Sequence, residues 1–415
     1  MNSGVPRIAS IDVLRGVAVL GILLMNIQTF SMIERAYVNP TAYGEFAGVN
    51  AVIWGFTRLF ADQKFMTLFS MLFGAGMVLM SERAIADGRR AWAAHYRRMI
   101  VLLVVGLMHA YLLWYGDVLT SYAIMGMVVY WGRFWKPSVL LTVGIVLLIV
   151  PVLLFGGVQL FFDFYPPEMI QQFWDDWRPD EELVAWQLGV YRGGYWEQME
   201  HRAATAFELQ TLVLLMWFAW RVGGLMLIGM ALFKWKVLGA HRSPSFYWRM
   251  VVVGVGVGLT VEAIGMFYQA QREWDVRVMI PGLLFNYFAS LFTAAGYLGA
   301  VMLICQRGLG PKLQEKLSAV GRMAFTNYLT QTIICTTFFY GHGLGLFGYL
   351  ERWEQLLFVI AIWGLQIVWS EIWLKRFSNG PFEWLWRCAT YWRIMPLRKS
   401  EASAMPLPPI LSGSN

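Results

Sequence analysis

Residues 138–158 run for 21 positions without a charged side chain, and nine other segments are nearly as apolar. These lie near 9–31, 52–80, 99–115, 118–132, 209–232, 250–269, 281–304, 321–340 and 355–374. A helix needs about 20 mostly apolar residues to cross the hydrocarbon core of a bilayer. Only 14% of the 415 residues are charged, against about 25% in a soluble domain, and mean hydropathy is +0.51. So few charges cannot clothe a water-facing surface, which excludes a soluble two-domain enzyme. Disorder, a disulfide scaffold and a coiled coil fail for lack of polarity, cysteines and heptads. The chain is predicted to be all-α, a polytopic transmembrane helix bundle of about ten spans over 1–395. A Pro/Ser-rich tail, 396–415, is predicted to be disordered. The segment 118–132 is short for a span. The segment 52–80 becomes free of charge only after Lys64, so Arg58, Asp62 and Lys64 must snorkel or face a protein cavity. The halves show no internal repeat of the kind common in transporters.

The loops supply a second constraint. With the N-terminus placed in the cytoplasm, 22 of the 33 Lys and Arg residues fall on the cytoplasmic side. Seven fall outside: Arg35, Arg178, Arg192, Arg202, Arg272, Arg277 and Arg352. Every alternation obeys the positive-inside rule, which predicts an even number of spans with both termini cytoplasmic. The net charge of +7 is then mostly topology, with some attraction to anionic headgroups. The basic residues are dispersed without an aromatic platform, so nucleic acid is not an expected partner; the bilayer is. The first apolar stretch carries Asp12 and Arg15 and lacks a small-residue cleavage site, unlike a signal peptide. One outer loop is large, 159–207, with a tryptophan-rich acidic run at 173–177 and an amphipathic helix predicted through Glu182, Trp186, Trp196 and His201. It reads either as an interfacial cap or as a lid and acceptor-binding surface.

Ionisable groups inside spans cost a few kcal/mol each and mark candidate sites. Asp12 and Arg15 are spaced to pair on one helix face, and Asn26 returns to that face three turns on. They serve either as a boundary anchor or as part of a polar path. Arg98 and His109 share a face of the third span. A neutral imidazole there suits a general base or nucleophile, or a packing residue. Asp117 would orient the ring, but eight residues of helix span about 12 Å, so contact requires a chain reversal. Arg221 is the most costly residue, since it cannot shed its proton. Glu262, in the next span, is its expected partner. Asn286, Ser290 and Thr293 line one face of the eighth span, and Asn327, Thr330 and Gln331 one face of the ninth. Either stripe can bind a polar ligand or join helices.

Other motifs lead nowhere. The glycines at 254–258 lack a preceding strand and a following Lys, so they read as helix packing and not as a phosphate loop. There is no HExxH or GxSxG pattern. Five histidines argue against multiple haems, and Cys305, Cys335 and Cys388 lie too far apart for a metal-ligand pattern. Neither a metal nor a permanently bound cofactor is expected.

The stretches 7–16 (RIASIDVLRG), 21–26 (GILLMN) and 64–74 (KFMTLFSMLFG), with His109 and 115–119 (YGDVL), resemble the YeiB-like family of bacterial inner-membrane proteins. So do 221–226 (RVGGLM), 321–331 (GRMAFTNYLTQ) and 380–387 (GPFEWLWR). The likeness covers nearly the whole chain, and Val118 replaces an expected isoleucine. The opening Asp-x-x-Arg-Gly also resembles multi-pass acyltransferases such as the heparan-glucosaminide acetyltransferase group, bundles of about ten or eleven helices. That resemblance implies transfer of an acyl group from acyl-CoA, with a histidine central to the chemistry, to a sugar, lipid or small-molecule acceptor. His109 would be base or acyl carrier and Asp117 its orienting group. Arg15 or Arg98 would meet the coenzyme phosphates, and Lys64 or Asn26 the oxyanion. Asp12, Asp62, Arg221, Glu262, Asn327 and Gln331 complete the expected substrate-binding set. The competing readings are a transporter or flippase for a small anionic or amphipathic solute, and an assembly protein whose buried charges only join helices.

The charge map makes a direct prediction: an alkaline phosphatase reporter fused after Arg178 is active, and the same reporter fused after Arg242 or Lys312 is inactive.

Overall fold

The computed structural model describes residues 8–88 and 90–399. Its helices are α1 (Ala9–Ser31), α2 (Gly48–Phe60), α3 (Lys64–Ala86), α4 (Ala91–Leu112), α5 (Leu119–Val129) and α6 (Pro137–Leu160). Then come α7 (Pro167–Trp177), α8 (Glu181–Arg192) and α9 (Glu197–Glu208), and a π-helical stretch (Leu209–Phe218) running into α10 (Ala219–Lys234). The remainder are α11 (Pro244–Gln271), α12 (Met279–Arg307), α13 (Pro311–Arg322), α14 (Ala324–Phe339), α15 (Arg352–Arg376) and α16 (Pro381–Tyr391). Eight helical segments of the described residues are long and apolar enough to cross a membrane. The fold is an all-α bundle, and its most apolar helices are those of a membrane protein.

Three expected spans are built differently from single straight helices, each for a physical reason. The 52–80 segment breaks between α2 and α3. Thr57 O accepts from both Ala61 N and Asp62 N, and Gln63 takes a left-handed conformation at φ 58°. The break turns the polar groups of Arg58, Asp62 and Lys64 onto one another. Lys64 Nζ also reaches back 2.7 Å to Arg58 O, placing a cation on the exposed carbonyls at the end of α2. The 118–132 segment is realised as α5, 11 residues and so roughly 16 Å long, continued by a 3-10 turn at Tyr130–Phe134. Its side chains are mostly buried against protein, so it need not match the thickness of lipid. The 321–340 segment is divided at Met323 into α13 and α14. Glu383 of α16 caps the second piece, its Oε1 accepting from Phe325 N at 2.7 Å and Thr326 N at 3.1 Å. A carboxylate satisfies the orphan donors of a helix start and complements its dipole.

The large outer loop is folded, and its expected single amphipathic helix is two, α8 and α9, separated at Gly193-Gly194. The cap sits over the far end of α1. Tyr191 O accepts from Gly341 N, Arg192 donates to Phe347 O, and Trp177 donates to Trp274 O. At the other end, residues 397–399 pair with the end of α15 through Ser378 N to Leu397 O and Lys399 N to Arg376 O. The expected disordered tail therefore does not begin at 396; its remainder, 400–415, lies outside the described residues.

Lipid offers no hydrophobic drive for helices to associate, so close backbone approach matters. The α3–α10 crossing depends on a reciprocal glycine pair. A Cβ on Gly74 would collide with Met226 O, and one on Gly229 with Met71 O. The glycines at 254 and 258 likewise meet α12 backbone, as expected for packing. Gly256 faces open space. Gly74→Ala and Gly229→Ala are expected to lower thermal stability in detergent by about 1–3 kcal/mol, whereas Gly256→Ala leaves the melting midpoint unchanged.

Candidate functional site

His109 lies in the last turn of α4, 2% exposed. Residues 113–118 reverse the chain and return Asp117 to it, so that His109 Nδ1 and Asp117 Oδ1 are 2.9 Å apart. Gly106 permits this return, since a Cβ there would stand 2.6 Å from Thr120 N. The second carboxylate oxygen accepts from Thr120 N at 2.8 Å, which fixes it to the start of α5. From α14, Thr332 Oγ1 lies 2.9 Å from His109 Nε2. A carboxylate only accepts, so Nδ1 carries a proton, and Nε2 meets the Thr332 hydroxyl, which can donate to it when that nitrogen is unprotonated. The result is a buried carboxylate–imidazole–hydroxyl chain. Trp114 packs edge-on to the imidazole and Tyr328 is tilted across it.

A second cluster forms where α2 breaks. Arg58 Nε donates to Glu262 Oε1 at 2.9 Å, its Nη1 to Asp62 Oδ2 at 2.7 Å and its Nη2 to Gly282 O at 3.2 Å. Lys64 Nζ donates to Glu262 Oε2 at 3.2 Å and to Asn286 Oδ1 at 3.0 Å, besides Arg58 O. Asp62 also accepts from Asn286 Nδ2 and from the Tyr37 hydroxyl. All four ions are nearly inaccessible to solvent. Two expectations are corrected here. Glu262 pairs with Arg58 and Lys64 and not with Arg221, because Arg58, in the last turn of α2, and Lys64, at the start of α3, each take one of its carboxylate oxygens. Lys64 has its three ammonium protons engaged by Arg58 O, Glu262 and Asn286, and it makes no described contact with the His109 chain.

Arg221, fully buried on α10, gives Nη2 to Thr67 Oγ1 at 3.1 Å and Ser290 Oγ at 2.7 Å. Its guanidinium lies over the Tyr287 ring, 4.3 Å from the centroid. Nε and Nη1 have no acceptor in full hydrogen-bond geometry, with the Tyr287 side chain as their close polar neighbour.

The other expected residues are distributed elsewhere. Arg15 pairs with Asp12 at 3.1 Å near the start of α1. Asn26 is half-buried on the same helix and joins neither cluster among the described contacts. Arg98 lies over the Trp386 ring at 4.0 Å, joining α4 to α16. Asn327 bonds Ser370 and Trp369, and Gln331 bonds Gln366 and Val19 O, so this stripe ties α14 to α15 and α1. An apolar cleft of about 410 Å³ opens beside the α2 break, lined by Leu24, Phe56, Phe60, Tyr297 and Ile360 among others; His109 does not line it.

Residues 232–393 match the family model described as "Protein of unknown function (DUF418)". The chain is 36% identical over 391 residues to "Uncharacterized protein YeiB" of Escherichia coli, covering 92% of this chain and 96% of that relative. The chain belongs to this YeiB-like family. It is also 32% identical over 422 residues to "Uncharacterized protein YxaH" of Bacillus subtilis, covering 95% and 96%. No solved structure matches. The DUF418 region contains Glu262, Asn286, Ser290 and Thr332, whereas His109, Asp117, Arg58, Asp62, Lys64 and Arg221 precede it. Each polar cluster of this YeiB-like chain thus joins the two parts.

Breaking the ion cluster by Glu262→Gln is expected to destabilise the protein by about 3–5 kcal/mol, because it leaves a buried cation uncompensated. Lys64→Met in the same chain recovers part of that loss, a coupling that a double-mutant cycle of thermal melts measures.

Proposed function

We propose that this protein is a multi-pass acyltransferase of the bacterial inner membrane, with both termini in the cytoplasm. It moves an acyl group from acyl-CoA to a hydroxyl- or amine-bearing acceptor. One observation carries the reading: His109 stands 2.9 Å from Asp117 through Nδ1 and 2.9 Å from the Thr332 hydroxyl through Nε2, an arrangement that suits a carboxylate-oriented base. The residue types and their order match what general-base acyl transfer requires. The Thr332 hydroxyl marks the position at which the acceptor presents its proton.

In the proposed reaction, the acceptor oxygen or nitrogen attacks the thioester carbonyl while Nε2 takes its proton. Collapse of the tetrahedral intermediate expels the coenzyme thiolate, which recovers that proton from the imidazolium. Asp117 stabilises the imidazolium during this interval. The Trp114 indole N–H is buried, lacks a protein partner and belongs to a ring packed on His109. It is the proposed donor to the oxyanion in place of Lys64 or Asn26. Arg15, partly exposed near the start of α1, is the proposed contact for the coenzyme phosphates.

Release of free thiol from acyl-CoA by the purified protein, supplied with a panel of sugars and lipids, tests the reading. His109→Ala is expected to lower kcat by about 100-fold or more, and Asp117→Asn by less, each assayed well below a melting midpoint that the lost buried contacts lower. Wild-type turnover by a folded His109→Ala protein removes the histidine from the mechanism.

A further inference from the structure

The ion cluster at the α2 break balances itself, two cations against two carboxylates. Arg221 does not share in that balance. Its described hydrogen-bond partners, Thr67 and Ser290, are neutral hydroxyls, and its face is taken by the Tyr287 ring. Asp62, the carboxylate within electrostatic range of it, is already engaged by Arg58, Asn286 and Tyr37. Both carboxylates of that cluster are held by Arg58 and Lys64, so Arg221, which cannot deprotonate, has no carboxylate hydrogen-bonded to it. The same guanidinium has no acceptor in full hydrogen-bond geometry for the N–H groups of Nε and Nη1, the Tyr287 side chain being its close polar neighbour. A buried donor left unpaired costs about 1–3 kcal/mol, more when charged, and an unpaired buried charge several more.

We propose that Arg221 is the receptor for a singly charged oxyanion, a carboxylate or a phosphodiester, bound between α3, α10 and α12. One negative charge matches one guanidinium whose described hydrogen bonds go to neutral hydroxyls. Oxygen acceptors match the open N–H groups, and charge-assisted bonds to guanidinium are the strongest available in such a setting. Thr67 and Ser290 hold Nη2 and so position the group, while the Tyr287 ring fixes its plane. This assignment stands independently of the chemistry at His109.

Thermal melts test it, using delipidated protein in neutral detergent titrated with acetate or decanoate, and protein in phosphatidylcholine nanodiscs with or without phosphatidylglycerol. A saturable rise in melting midpoint is expected with at least one of these anions. A rise with acetate indicates a soluble carboxylate, and a rise only with decanoate or phosphatidylglycerol an anion borne by a lipid. Arg221→Gln is expected to abolish the rise while melting no lower than the ligand-free wild type, since it removes a buried charge with no carboxylate bonded to it. Arg221→Lys, which keeps the charge and loses the planar donors, is expected to weaken binding at least tenfold, and Ser290→Ala severalfold. The proposal is overturned if no anion stabilises the wild type, or if Arg221→Lys and Ser290→Ala bind as the wild type does. Because binding is read without turnover, its loss is distinguishable from a failure of the acyl-transfer reading.

Discussion

A charge inside a low-dielectric bundle must be met by an opposite charge or by a full set of hydrogen bonds, and the centre of this fold is arranged around that requirement. Arg58 touches α11 and α12 as well as its own helix, and Lys64 repeats two of those links. The break between α2 and α3 allows both cations to reach Glu262 together. An unbroken helix would direct the end of α2 elsewhere and leave Arg58 O without the Lys64 ammonium. Asp62 extends the same network to Tyr37, on the short turn that leads from α1 toward α2. The conformation of the cap-side connection and that of the membrane interior are thus coupled through one carboxylate.

The His109 chain follows the same physics with less charge. A lone imidazole at this depth would hold two unsatisfied nitrogens; with Asp117 and Thr332 both are met. That completeness stabilises a packing histidine and prepares a base equally well. The difference lies in what reaches Nε2, for Thr332 holds that position with a hydroxyl, the functional group an acceptor would bring. Here acyl transfer is the proposal that makes use of the orientation Asp117 imposes.

Some of this was legible in the residues and some was not. Asp12 with Arg15 could be read from helical spacing alone, because both partners belong to one helix. The assignment of Glu262 to Arg221 rested on matching depth and opposite sign, and it failed because depth does not specify which helix is adjacent. Arg58 had to snorkel or face a protein cavity by its place in the sequence, yet which it does depends on a helix break that the apolar pattern does not announce. Thr332 carried no signal, since one threonine among several on α14 acquires a role only when α14 lies against α4. The approach of Asp117 to His109 was legible as a condition, a chain reversal, which the glycine-marked turn at 113–118 fulfils.

From its residues alone, the chain determined that it is all-helical, that its apolar segments belong in lipid, and that a few ionisable groups stand where lipid does not tolerate them. Those are consequences of composition and local periodicity, which act over about twenty residues. Tertiary structure decided which charges neutralise one another, which hydroxyl meets His109, and which cation, Arg221, is left with neutral hydroxyl partners. Such choices depend on the order of helices around the bundle. That order is set by glycine-mediated backbone contacts and by capping from distant segments such as Glu383, and neither leaves a local mark in the apolar pattern.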